Sequence, residues 1–253
     1  MTAPVTDPAE VTEISRVAPT GDPVRLGLPA ALGRQDWYGS TRFAGRQMSR
    51  QFSFAPAGQH RVIPTTIMPG ARTSTRSFRG FDAVLHEAPD RSDAALVLAG
   101  PYNEATTWFG GPAPDVSGIN ALLSTLQFVD SERGATLSPA ARDLVQQPDV
   151  TVIGRSAESV IMLRRGTEAL PSLPDHAGML LPGGELWKAK RRLEPGQEAS
   201  VAGTPHQWRY VVATPTAVLN VVLLGPESGR PVTGLSDDGV VGALSALGAS
   251  WGS

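Results

Sequence analysis

The stretch ALVLAGP at residues 95–101 has a near copy, NVVLLGP, at residues 220–226. Each is an almost unbroken apolar run that ends in Gly-Pro, which is typical of a strand covered on both faces of a sheet. A second strand-like segment precedes each copy, FDAVLHEAP at 81–89 and WRYVVATP at 208–215. Because turn residues separate the members of each pair, the sequence predicts two antiparallel hairpins.

A similar element follows each predicted hairpin, LSTL at 123–126 and LSAL at 244–247. The spacing between copies is 126 residues from Pro89 to Pro215, 125 from Gly100 to Gly225 and 121 from Leu123 to Leu244. This shared order and nearly constant spacing favour an internal duplication. The alternative is that apolar strands and Ala/Leu-rich helices look alike in unrelated segments.

Helices are predicted where apolar residues recur with helical spacing. Ile119, Leu122, Leu123 and Leu126 follow that spacing, and Asp115 or Ser117 is the expected N-cap. A second helix is predicted over residues 139–147, opened by Ser138-Pro139. A third closes the chain over residues 234–251, with Asp237 or Asp238 near its cap.

The remaining segments are interpreted as strands and loops. The β-branched segment HRVIPTTIMPG at 60–70 is expected to form irregular or edge strands, because prolines interrupt it. Residues 186–196 and EASVAG at 198–203 are expected to be strands.

Together these patterns predict an α+β protein of two similar halves, each an antiparallel sheet with a closing helix. The predicted divisions are a flexible N-terminal tail over 1–24, one half over 25–138 and the other over 139–253. The tail is rich in Pro, Thr and Ala and carries more acidic than basic residues.

A hairpin of apolar strands followed by INALLSTLQF at 119–128 resembles the end of the Mog1/PsbP-like fold. That family includes LpqN-like actinobacterial proteins and some effector chaperones. The resemblance covers the last part of each half and rests on pattern. It implies a non-catalytic binding or assembly module. The lipoprotein signal of LpqN-type members is missing here, so an envelope role is not expected.

Composition and motifs exclude several kinds of site. The chain of 253 residues has no cysteine, which rules out disulfides, thiolate catalysis and Cys-ligated zinc. His60, His86, His176 and His206 each stand alone, and no nucleophile elbow, dinucleotide motif or P-loop occurs. We therefore predict no cofactor, no metal site and no catalytic residue.

The chain shows no sign of membrane insertion or export. It has no long apolar run and no signal-like N-terminus, so no membrane span and a cytoplasmic location are expected. The formal net charge of −2 gives no overall attraction to nucleic acid. The basic residues are almost all arginine, which is typical of GC-rich, actinobacterial-like coding.

Arginines are concentrated between residues 34 and 79, where only Asp36 opposes them. They are Arg34, Arg42, Arg46, Arg50, Arg61, Arg72, Arg76 and Arg79. Arg42, Arg46 and Arg50 recur every four residues and would share one face of a helix. Because arginine suits bidentate recognition of anions, the stretch predicts a docking surface for an acidic partner, a phosphate or nucleic acid. The alternative is that carboxylates elsewhere in the chain neutralise it.

Aromatic residues beside glycines are the second candidate for partner contacts. Trp37, Tyr38, Trp108 and Phe109 are expected in loops, where they would either meet a partner or anchor the loop on the core. The predicted partner-binding residues are Arg42, Arg46, Arg50, Arg72, Arg76, Arg79, Trp108 and Phe109.

The function predicted from these residues is a non-catalytic interaction, assembly or chaperone-like protein that binds a protein partner. One alternative is a nucleic-acid-binding or phage-like particle component that uses the same arginines. Another is a hydrolase-like enzyme with a site between the halves, at which His86 or His176 would titrate abnormally. The oligomeric state stays open.

Overall fold

A computed structural model describes residues 10–45, 48–141 and 146–252 of the chain. The chain divides into two compact units. Unit 1 comprises Met1–Arg16, Pro23–Asp36 and Ile153–Ser253, and unit 2 comprises Val17–Asp22 and Trp37–Val152. Among the described residues, no helix has the length and apolar character that crossing a bilayer requires.

The described residues form seventeen strands and four α-helices. The strands are β1 (Val11–Val17), β2 (Pro23–Pro29), β3 (Asp36–Ala44), β4 (Arg50–Pro56), β5 (Arg72–Phe78), β6 (Phe81–Glu87), β7 (Ala94–Ala99), β8 (Asn103–Trp108), β9 (Leu126–Ser131), β10 (Gly134–Pro139), β11 (Gln146–Arg155), β12 (Ser159–Arg165), β13 (Met179–Leu181), β14 (Gly184–Lys190), β15 (Trp208–Ala213), β16 (Ala217–Leu223) and β17 (Gly248–Trp251). The α-helices are α1 (Val116–Ser124), α2 (Gly166–Ala169), α3 (Pro195–Val201) and α4 (Asp237–Ser245).

The predicted α+β class with two similar halves is wrong. Of the described residues, 47% lie in strands and 21% in helical turns of any kind, so the protein is mostly β. The longest α-helices, α1 and α4, have nine residues each. Strand β2 pairs with β17, so a segment near the start of the chain and one near its end belong to the same sheet of unit 1.

Unit 2 is built on an antiparallel sheet in the order β3-β4-β8-β7-β6-β5, with the first part of β11 beside β3. A separate hairpin of β9 and β10 belongs to the same unit. The predicted hairpin of 81–99 is confirmed, with Glu87 opposite Ala94 at its turn.

Strand β7 is apolar throughout because both of its faces are buried, as the sequence predicted. Leu96 and Leu98 point to one face, where they pack with Phe52, Ile119 and Leu123. Val97 points to the other face and packs with Ile63. Helix α1 therefore covers one face of the sheet, and the segment that contains Ile63 covers the other.

That second covering segment was predicted as irregular strand and is helical instead. Gln59–Val62 forms a 3-10 turn and Ile63–Ile67 a π turn. Pro64 stands at the start of the second turn, where its fixed φ suits a helix and its missing N–H leaves no donor unpaired. Burial of Ile63 against the sheet decides the conformation of this segment.

Unit 1 contains the antiparallel order β13-β14-β15-β16-β12, followed by the last part of β11. A second sheet has the order β1-β2-β17. The predicted strand pairs β11–β12 and β15–β16 are confirmed. Trp187, Val211 and Val218 pack with Ala169 of α2 on one face of the larger sheet. Val11–Val17 of the predicted tail forms β1, whereas residues 1–9 lie outside the described part.

Three further element predictions differ from the structure. Residues 198–203, expected as a strand, belong largely to α3, because Glu194 and Gln197 form a capping box and Pro195 opens the helix. Pro139 ends strand β10, so Ser138-Pro139 does not open a helix, and residues 142–145 lie outside the described part. The last helix ends at Ser245 and strand β17 follows it.

The two Gly-Pro sequences have a physical explanation in local packing. A Cβ at Gly100 would collide with the carboxylate of Asp130, and a Cβ at Gly225 would collide with the ring of His206. Asp130 accepts hydrogen bonds from the backbone N–H groups of Tyr102 (2.7 Å) and Asn103 (3.2 Å). Because glycine has no Cβ, another side chain can pack directly against it, Asp130 at Gly100 and His206 at Gly225.

Candidate partner-binding surface

Three of the predicted partner-binding residues lie together in unit 2. Arg50 starts β4 and Trp108 ends β8, the neighbouring strand. The Arg50 Nη1 donates a hydrogen bond to the carbonyl oxygen of Trp108 at 3.1 Å. Its guanidinium lies 4.6 Å from the centre of the Phe109 ring, within cation–π range.

The chain after β8 is held in place by β7. The Phe109 N–H donates to the carbonyl of Ala94 at 2.9 Å, and the Gly110 N–H donates to Oδ1 of Asp93 at 2.9 Å. Trp108, expected in a loop, is the last residue of a strand and is 37% exposed. It borders an open depression of about 440 Å³, which we call the Trp108 surface, lined by Ser49, Arg50, Gln51, Ser53, Thr106, Trp108 and Phe109.

The Trp108 surface combines an arginine with aromatic side chains. An arginine stacked on one aromatic ring beside a half-exposed tryptophan combines the two residue types that most often dominate interface energies. Partial burial lowers the pKa of Arg50, which nevertheless stays charged at neutral pH. The lining of the depression thus contains the charged guanidinium of Arg50 and the aromatic side chains of Trp108 and Phe109.

The spacing of Arg42 and Arg50 predicted that they share one face of a helix, and this prediction is wrong. Arg42 lies in β3 opposite Gln51, and Arg50 in β4 lies opposite Phe43. Because side chains alternate along strands, Arg42 and Arg50 point to opposite faces of the sheet. Arg46 lies outside the described residues.

Arg72, Arg76 and Arg79 are gathered along the outer strand of unit 2. Arg72 and Arg76 lie in β5, which among the described strands has β6 as its one neighbour. Arg79 follows in the turn with a φ of 49°, a left-handed conformation that costs about 1 kcal/mol or more outside glycine. Its guanidinium lies 5.1 Å from the centre of the Phe78 ring.

In the described part of the chain, the arginines of 34–79 form no ion pair. They are Arg34, Arg42, Arg50, Arg61, Arg72, Arg76 and Arg79. Elsewhere Arg191 and Lys190 do pair, with Glu227 at 2.9 Å and Glu198 at 3.1 Å. No carboxylate of the described residues forms an ion pair with these arginines, although Glu87 lies opposite Arg72 in the β5–β6 register.

A polar cluster that the sequence did not predict lies on the same unit. Buried Glu104 accepts hydrogen bonds from the N–H groups of Gly58 (2.8 Å) and His60 (2.5 Å) and pairs with His60 Nδ1 at 2.7 Å. The His60 ring lies 5.8 Å from that of His86. Since 44 residues separate His60 from Glu104, no local motif announces this pair.

His60 borders an open cleft of about 770 Å³, which we call the His60 cleft. Its lining includes Arg61, Thr75, Ser77 and Asp82. Within the described residues, no group of three or more His, Asp or Glu is arranged to hold a metal ion. The cleft thus offers polar side chains and one carboxylate-bound imidazole.

The other histidines differ in environment. His86 is buried, its Nδ1 lies 2.9 Å from Thr73 Oγ1, and burial lowers its pKa, with a further contribution from the charge of His60. His206 is also buried, and its Nε2 accepts a hydrogen bond from the Thr233 N–H at 2.9 Å. His176 has an exposed side chain.

The acidic pair of LSDDG in unit 1 has a structural role. Ser236 caps α4, and Asp237 lies in the first turn, where it pairs with Lys188 at 2.8 Å and accepts a hydrogen bond from Trp208 Nε1 at 3.2 Å. Burial raises the pKa of Tyr210, and the charge of Asp237 adds to that rise.

Comparisons of the chain with family models, with curated proteins and with solved structures found no match. The resemblance to Mog1/PsbP-like proteins therefore stays a prediction.

Proposed function

We propose that this chain is a non-catalytic interaction or assembly protein, chaperone-like in its action, that binds a protein partner through unit 2. The observation that carries the proposal is the Trp108 surface, where Arg50 stacks on Phe109 and donates a hydrogen bond to the backbone carbonyl of the partly exposed Trp108. A cytoplasmic site of action belongs to the proposal, and a chain without cysteine fits that compartment.

Two further features support a partner with acidic character. Seven described arginines of the basic stretch form no ion pair, so their charges are available to an incoming carboxylate. Arg42, Arg72 and Arg76 are also exposed, which keeps their guanidinium groups accessible.

The test is capture of partners from lysate of the source cells by wild-type protein, Trp108→Ala and Tyr102→Ala. Tyr102 is a matched control, since it is 49% exposed and precedes β8 whereas Trp108 ends it. We expect Trp108→Ala to lose at least about 2 kcal/mol of binding, roughly thirtyfold, and Tyr102→Ala to retain capture. Circular dichroism monitors the fold of each variant.

Salt distinguishes a protein partner from nucleic acid. A protein that stays bound at high salt and is lost with Trp108→Ala supports the proposal. Nucleic acid that is released steeply as salt rises points to the nucleic-acid alternative, since phosphate contacts release counterions. Capture that is identical in wild type and Trp108→Ala, or no capture at either salt, contradicts the proposal.

The His60 cleft favours a second candidate, a hydrolase-like activity. A buried carboxylate that fixes one imidazole nitrogen leaves the other available as a general base, and Ser77 lines the same cleft. Hydrolysis of p-nitrophenyl acetate that disappears in His60→Gln would support it. Hydrolysis no faster than in buffer would remove it.

A further inference from the structure

We propose that strand β5 is a docking edge for an extended acidic segment of the partner, which adds to the sheet of unit 2 as a further antiparallel strand. The inference rests on the proposed function, because it assigns a second contact to the same partner. It is carried by the geometry of β5 and by the charges of Arg72 and Arg76.

The outer edge of β5 is open. Residues Arg72 to Ser77 are all exposed, and no strand follows β5 in the sheet order of the described residues. The strand has seven residues and contains no proline and no bulge in its register with β6. These are the properties that free edges usually lack, because an open edge invites another strand.

The hairpin turn defines which backbone groups face outward. Arg79 and Gly80 both have positive φ, 49° and 87°, as in a type I′ turn that joins two strands through two residues. The closing pair of such a turn, Phe78 and Phe81, exchanges both hydrogen bonds, and pairs then alternate along the ladder. The N–H and C=O groups of Thr73, Thr75 and Ser77 therefore point away from β6.

The positive charges of Arg72 and Arg76 favour an acidic strand as the binding partner of β5. Arg72, Ser74 and Arg76 share one face of β5, so an added strand with carboxylates four residues apart places them opposite the two arginines. Antiparallel pairing of two copies of β5 centred on Ser74 sets Arg72 against Arg76 and is disfavoured in that register. A strand with a carboxylate opposite each arginine is favoured instead.

Neighbouring groups leave this face accessible. Arg76 has one polar contact, with Asn120 Oδ1 of α1 at 3.5 Å. Arg72 forms no ion pair, but Glu87 lies opposite it in β6, and Arg72 helps to lower the pKa of Glu87 after the larger effects of the Ala113 N–H and Arg91. On the opposite face, Thr75 and Ser77 line the His60 cleft, which has room for alternate side chains of the added strand.

The probe is a fluorescein-labelled seven-residue peptide with glutamate at its second and sixth positions and valine or threonine elsewhere. Its binding to the full chain is followed by fluorescence anisotropy. We expect binding to weaken at least about tenfold when both glutamates are glutamine, and by as much in Arg72→Gln/Arg76→Gln. A peptide that is N-methylated at alternate backbone nitrogens should not bind.

Thr75→Pro and Thr75→Val form a matched pair of variants. Proline removes an outward N–H, a substitution that edge strands tolerate, whereas valine keeps the N–H and the shape of the side chain. We expect the peptide to bind Thr75→Val as it binds wild type and not to bind Thr75→Pro. The N-methylated peptide on wild-type protein gives the same answer without relying on the fold of a variant.

Three results would overturn the inference: no binding of the acidic peptide up to about 1 mM, equal binding of the N-methylated peptide, or equal binding of the glutamine peptide. Trp108→Ala, which is expected to lose partner capture, should bind the peptide with wild-type affinity. Peptide binding therefore tests strand addition to β5, whereas partner capture from lysate tests the proposed function.

Discussion

At the level of single residues, the carboxylate of Glu104 holds the start of the helical turns of 59–67. Its two oxygens accept hydrogen bonds from three donors, the N–H groups of Gly58 and His60 and the ring of His60. Glu104 itself is almost fully buried. A buried carboxylate in such a position is stabilised only while all three donors remain.

We expect Glu104→Gln to lower the free energy of unfolding by about 2–3 kcal/mol. The amide keeps the size of the side chain but removes the charge and turns a donor toward other donors. Glu198→Gln is the control, since Glu198 forms an exposed ion pair with Lys190 and should change stability by less than about 0.5 kcal/mol. Urea unfolding measures both; equal changes in the two variants would contradict the role of Glu104.

The buried imidazole of His86 predicts a pH dependence of stability. Burial lowers its pKa in the folded state below the ordinary value of 6.5. As the pH falls through 6.5, the unfolded chain therefore binds the proton first, and the free energy of unfolding decreases until the folded-state pKa is reached. Stability from this group is complete above pH 6.5 and is lost below it.

Urea unfolding at neutral and at mildly acidic pH tests this expectation in His86→Gln and His176→Gln. The loss of stability on acidification should be smaller in His86→Gln than in wild type, whatever the absolute stability of the variant. His176 has an exposed side chain, so His176→Gln should keep the wild-type loss. An unchanged loss in His86→Gln would show that another group titrates.

At the scale of elements, the turn between β7 and β8 depends on Gly100. We expect Gly100→Ala to destabilise the protein by about 1–3 kcal/mol, because the added methyl group displaces Asp130 from Tyr102 and Asn103. Gly111→Ala is the matched control, since nothing lies within 4 Å of its Cβ position. Thermal unfolding compares them, and similar midpoints would mean that Asp130 relaxes without loss.

Some strands and helices were predicted correctly from local sequence patterns. The apolar runs of β7 and β16 predict the two hairpins correctly, and Ile119 and Leu123 bury one face of α1 as their spacing predicts. Leu126, predicted on the same helical face, is instead the first residue of β9, since α1 ends at Ser124. Asp115 caps α1 as expected, accepting a hydrogen bond from the Gly118 N–H at 2.7 Å. The helical turns of 59–67 were missed because the prolines there were interpreted as breaking regular structure and not as first-turn residues. Helix α3 was missed because its apolar residues do not follow a helical period.

At the scale of the whole molecule, the arginines of 34–79 contribute charge and little stability. Because Arg42, Arg72, Arg76 and Arg79 form no ion pair, changing all four to glutamine should alter the free energy of unfolding by less than about 0.5 kcal/mol each. Arg191→Gln is the contrast. Its ion pair with Glu227 is largely buried, and its loss should cost about 3–5 kcal/mol.

Urea unfolding of the fourfold variant and of Arg191→Gln measures this difference. The fourfold variant lowers the formal net charge from −2 by four and should also lose capture of an acidic partner. A loss of stability as large as that of Arg191→Gln would mean that these arginines stabilise the folded chain. Their side chains would then not be available to bind a partner.

The amino-acid sequence is sufficient to predict the local hairpins, the buried face of α1, the exclusion of cysteine chemistry and the concentration of arginine between residues 34 and 79. These follow from composition and from short periodic patterns. The mostly β class, the pairing of β2 with β17, the His60–Glu104 contact and the stacking of Arg50 on Phe109 become visible in the folded chain alone. Each of these joins residues far apart in the chain, and distant pairing depends on burial and strand register, which no local pattern encodes.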